Sequence, residues 1–110
     1  MQLKASELEG VYIVTIEGNV DTNSAPEVKS GLDKIINSGA SKLILDLQLM
    51  DYISSAGLRI LLITGKQLKG SNGELRLSRM NESVKDVFDI SGFSSIFNIF
   101  DSVEDAQKDF

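Results

Sequence analysis

Along the first third of the chain, apolar residues alternate with the short period of extended backbone. Leu3 to Leu8 and Val11 to Glu17 read as two strands joined by Glu9-Gly10. The second strand carries Val11, Ile13 and Thr15 on one side and Tyr12, Val14 and Ile16 on the other, so it is expected to be covered on both faces. The period then changes. After a polar turn, Gly18-Asn19-Val20-Asp21-Thr22-Asn23, the positions Ala25, Val28, Leu32, Ile35 and Ile36 recur at helical spacing and predict an amphipathic helix from about Ala25. Ser24 with Glu27 three residues later has the form of a capping box. Pro26 falls in the first turn, where its missing N–H costs no intrahelical bond, and Asn37-Ser38-Gly39 supplies a left-handed stop.

Lys42 to Leu47 is a short, strongly apolar run and is expected as a central strand. Beyond Asp51-Tyr52-Ile53-Ser54-Ser55-Ala56-Gly57-Leu58 a second helix is expected, with Leu58, Leu61, Leu62, Gly65 and Leu68 inward and Ile60 and Ile63 forming a second apolar side. It should be the most buried helix. Gly70-Ser71-Asn72-Gly73 is a turn by composition, and Glu74 to Ser78 alternates like a strand with one buried face. Asn81 is placed to cap a third helix with Val84, Val87 and Phe88 inward and Gly92 as its stop. Ile96 to Phe100 then reads as an edge strand, and Ser102 caps a short terminal helix. The expected order is ββαβαβαβα. Strands alternating with helices in a chain this short imply one α/β domain over residues 1–110, a mixed, mostly parallel sheet with right-handed crossovers.

Composition narrows the function. With 110 residues and 42% hydrophobic content, one core is expected and a second domain is not. The net charge of −5, with eleven scattered Lys and Arg, argues against a nucleic-acid partner. Cysteine is absent, which removes disulfides, thiolate metal sites and cysteine nucleophiles. Histidine is absent too, so a serine hydrolase of the Ser-His-Asp type lacks its base. No apolar run approaches the roughly 20 residues that cross a bilayer, and Met1-Gln2-Leu3-Lys4 lacks the apolar core of a signal peptide. A cytoplasmic protein with neither enzyme activity nor cofactor is the expectation.

The informative segment is the strand-to-helix junction with its two adjacent serines, Ser54 and Ser55. Unpaired N–H groups of a helix's first turn carry partial positive charge, so a phosphate placed there is stabilised and a hydroxyl there can act as a switch. Either serine also suits a plain N-cap role. Asp21-Thr22-Asn23 reads equally as turn chemistry or as a partner contact, and Tyr52 is a candidate exposed aromatic beside the serines.

Three segments together resemble the STAS domain family, within it the bacterial anti-sigma factor antagonists. They are Gly18-Asn19-Val20-Asp21, the serine segment Asp51 to Leu58, and Val84-Lys85-Asp86-Val87-Phe88-Asp89-Ile90-Ser91-Gly92-Phe93. The resemblance implies a partner-switching protein that binds an anti-sigma factor serine kinase and so frees a sigma factor, until phosphorylation ends the association. A serine phosphatase would reverse the step. Aligned on Gly57-Leu58, the family's phosphorylated serine falls on Ser55, and Ser54 stands where the family has aspartate, which makes Ser54 the second choice of acceptor. The implied partner surface comprises Asp21, Thr22, Asn23, Tyr52, Ser54, Ser55, Ala56, Gly57 and Leu58. The rival readings are a nucleotide- or small-ligand-binding STAS module and a scaffold in a signalling complex. The first is weakened because no Gly-x-x-x-x-Gly-Lys-Ser/Thr loop is present and the nearest basic residue to the serines is Arg59.

Overall fold

Extended and helical periods in the sequence become six strands and four helices in the computed structural model, which describes residues 1–110. The strands are β1 (Gln2–Leu8), β2 (Val11–Val20), β3 (Lys42–Asp46), β4 (Met50–Ile53), β5 (Glu74–Ser78) and β6 (Asn98–Phe100). The helices are α1 (Ala25–Asn37), α2 (Ser55–Gly70), α3 (Glu82–Ser91) and α4 (Val103–Gln107). The sheet runs β1-β2-β3-β5-β6; only the β1–β2 hairpin is antiparallel, and the other neighbours are parallel.

The observed order has one more strand than the expected ββαβαβαβα. Gly18, Asn19 and Val20, expected in a polar turn, instead prolong β2 beyond the end of β3. The tetrapeptide Met50–Ile53 pairs with that extension in parallel, after a turn in which Met50 N–H donates to the Leu47 carbonyl at 3.1 Å. A four-residue strand is too short to show a period, so in the sequence it merges with the junction.

The register puts Tyr12, Leu43 and Leu75 in one row across the sheet and Val14, Leu45 and Leu77 in the next. These side chains meet Val28 and Leu32 of α1, Leu58, Leu61 and Leu68 of α2, and Val84 and Phe88 of α3 in one core. On the opposite face Val11 and Ile44 pack against Ala106 of α4, with Ile13, Phe100 and Phe110 around them. The expectation that β2 is covered on both faces therefore holds. Arg76 fastens this second layer: its guanidinium lies 4.1 Å from the Phe110 ring centre and donates to the carbonyls of Ala106 and Lys108, each at 2.8 Å. Helices on both faces of a mixed sheet give the α/β class that the pattern predicted.

Several local expectations need correction. The Ser24–Glu27 capping box does not form: Ser24 Oγ accepts from Asp21 N–H at 3.0 Å and donates to the Asn19 carbonyl at 2.9 Å, leaving no side-chain cap for α1. On α2, Ile63 is exposed, while Thr64 is fully buried with its hydroxyl unpaired. The expected strand Ile96–Phe100 is only Asn98–Phe100, because a single 3-10 turn at Phe93–Ser95 follows the left-handed Gly92 and bonds the Ile96 and Phe97 N–H groups back to Phe93. No helix is long and apolar enough to cross a membrane.

Candidate functional site

Parallel pairing of β4 with the end of β2 brings two strand-to-helix junctions side by side. Asn19 lies opposite Tyr52 and Val20 opposite Ile53, so the turn Asp21-Thr22-Asn23 entering α1 sits beside Ser54 and Ser55 entering α2. The Ser54 N–H donates to the Val20 carbonyl at 2.8 Å, which ties the second junction to the strand that ends in the first.

The two serines hold different positions. Ser54 is the N-cap of α2: its backbone is extended, and its Oγ accepts from Gly57 N–H at 3.2 Å. Ser55 is the first helical residue, is exposed, and takes part in none of the side-chain hydrogen bonds of the molecule. Capping thus consumes the Ser54 oxygen and leaves the Ser55 hydroxyl toward solvent, in the field of the helix N-terminus.

Gly57 lets the helix start this close to the sheet. A Cβ at this position would lie 2.7 Å from Ile53 Cγ1 and 2.8 Å from Val20 Cγ1, well inside ordinary contact. Leu58 follows it into the core at 3% exposure. Of the nine residues expected at a partner surface, these two are therefore interior, and Ala56 is half-buried. Tyr52 projects from β4 at 49% exposure, and Leu49, unmarked by any sequence pattern, is exposed by 50% just before that strand. Tyr52 thus places apolar surface two residues before Ser54, while Leu49 lies at the other end of the strand.

Asp21 is committed to its own turn. Its Oδ1 accepts from the N–H groups of Asn23 (2.9 Å) and Ser24 (3.0 Å), and these bonds, the Ser24 one foremost, lower its pKa from the ordinary carboxylate value. Asp21 and Asn23 line a shallow concavity with Glu27 and Asp51, an acidic face. Thr22 lines a different groove, between α1 and α2, with Ala56, Lys29, Asp33, Lys34 and Arg59. The expected residues thus divide between an acidic side and a groove of mixed charge. A further link came from Asn81, foreseen only as a helix cap: its Oδ1 accepts from Val84 N–H at 2.8 Å while its Nδ2 donates to the Met50 carbonyl at 2.7 Å, anchoring α3 to β4.

A six-stranded mixed sheet with an exposed serine at the head of a helix that packs one face into the core defines a small α/β domain, and comparison with known proteins identifies its family. The STAS domain family model matches residues 2–106, and the chain belongs to that family. It is 39% identical over 110 residues, 100% of this chain and 95% of the relative, to BtrV of Bordetella bronchiseptica, whose name describes it as a candidate anti-sigma factor antagonist. It is 34% identical over 86 residues to the anti-sigma-B factor antagonist of Bacillus subtilis, covering 78% of each chain. Among solved structures, a candidate anti-sigma factor antagonist of Thermotoga maritima superposes with a TM-score of 0.90 at 23% identity, covering 96% of this chain and 92% of the other.

Proposed function

We propose that this chain is an anti-sigma factor antagonist that binds an anti-sigma factor serine kinase, and that phosphorylation of Ser55 ends the association. The names of its relatives support the antagonist reading, and the kinase as partner comes from the family resemblance. The observation that carries the second is the unequal pair of serines: Ser54 Oγ is engaged in the cap, whereas Ser55 Oγ is exposed and unengaged on the first helical residue. A kinase would transfer the γ-phosphoryl group of ATP to Ser55 Oγ, with loss of the hydroxyl proton and departure of ADP. The helix N-terminus tolerates the added charge, so the domain stays folded. In an interface the same group must be desolvated on a surface that already carries the acidic face of Asp21 and Asp51, and binding is lost. A serine phosphatase resets the switch.

Incubation with ATP and an anti-sigma factor kinase of the source organism, followed by phosphopeptide mapping, tests this reading. One phosphate that disappears in Ser55→Ala and persists in Ser54→Ala is the expected result. Loss in Ser54→Ala alone would move the acceptor, and no phosphate with any such kinase would overturn the reading.

A further inference from the structure

Arg59 has no partner in the fold. It is exposed and takes part in none of the four ion pairs, and the carboxylate that shares its groove, Asp33, is already held by Lys29 at 2.6 Å. Arg59 follows Ser55 by four residues on α2, and side chains at that spacing lie on one helix face with Cβ atoms about 5–6 Å apart. Helical side chains lean toward the helix N-terminus, which carries the guanidinium of Arg59 toward Ser55 rather than away from it. A guanidinium offers a planar fork of donors that matches phosphate oxygens.

We propose that Arg59 is the intramolecular receptor for a phosphate on Ser55, pairing with it along one face of α2. The inference rests on the acceptor reading above. The pair draws the phosphate down over the first two turns of α2, offsets part of its charge, and converts the Ser55–Arg59 strip from a hydroxyl and a free cation into an ordered, net anionic patch. A partner that uses this strip meets a changed surface while the fold behind it is unaltered. The charged groups of the two concavities on either side of the junction are Asp21, Glu27, Asp51 and the Met1 amino terminus in one, and Lys29, Asp33 and Lys34 of α1 with Arg59 in the other. Among the cations, Lys29 is occupied by Asp33 and Lys34 belongs to the other helix, so Arg59 is the one in helical register with the acceptor.

The test uses the full chain with phosphoserine installed at position 55 during translation, so that it does not depend on any kinase. A 31P NMR titration reads the second ionisation of the phosphate. Arg59→Gln is expected to raise that pKa by about 0.2–0.4 unit, the worth of an i,i+4 pair; the difference should vanish in about 1 M NaCl, and Arg59→Lys should restore part of it. An unchanged titration in Arg59→Gln, or an equal rise in Lys34→Gln, would overturn the assignment to Arg59. Binding of the same phosphoserine protein to an anti-sigma factor kinase tests the underlying reading separately. Undiminished binding there would sink the switch while leaving the titration result to stand on its own.

Discussion

One missing methyl group sets how closely α2 approaches the sheet. Gly57→Ala would drive a Cβ into Ile53 and Val20 side chains on two different strands, with the Val20 carbonyl 3.2 Å away, so the first turn of α2 must shift. The expected cost is about 1–3 kcal/mol, measured by urea unfolding; an unchanged midpoint would mean that the helix can withdraw freely. Asp21 governs a pH effect. Its pKa is lower in the folded state than in the unfolded chain, so its contribution is present above the unfolded value and is lost as pH falls through the folded one. Melting temperature should therefore fall more steeply for wild type than for Asp21→Asn below about pH 4, and parallel curves would refute this. At this scale the sequence was legible wherever the chemistry was local. Asn81 and Ser102 cap the helices they were expected to cap. Ser24 does not, although it carried the same kind of signal, because its oxygen is drawn to Asn19 and Asp21 by a strand that runs further than expected.

Among the elements, β4 depends most on others. It pairs only with the bulged end of β2, and Asn81 holds its first residue from the α3 side. Asn81→Ala removes the α3 cap and this tie together, with an expected cost of about 1–2 kcal/mol and faster amide exchange in β4 and the first turn of α3. Exchange that accelerates in α3 alone would show that the tie to Met50 contributes nothing. Long amphipathic elements such as α1 and α3 declared themselves by period, and β5 by alternation between turns. The fourth strand and the 3-10 turn at Phe93–Ser95 did not, because each is shorter than the period that would reveal it and each is defined by hydrogen bonds to distant or folded-back neighbours.

For the molecule as a whole, the proposed switch changes association and leaves the fold in place. Stoichiometric phosphorylation of Ser55 should leave the circular dichroism spectrum and melting temperature nearly unchanged while abolishing binding to an anti-sigma factor kinase. Ser55→Asp should weaken that binding only in part, since one carboxylate carries less charge and fewer acceptor oxygens than a phosphate. A large loss of helical signal on phosphorylation would contradict this account, as would wild-type affinity in Ser55→Asp. The α/β class, the hairpin start, the four helices and the serine junction were determined by the sequence alone, because period, caps and turn residues act over a few neighbouring positions. Tertiary structure alone decided which serine caps and which stands free, that Gly57 and Leu58 are interior, and that Asp21 and Thr22 face different grooves. Those outcomes follow from pairing β4 with the end of β2, a contact between segments about thirty residues apart that no local pattern encodes.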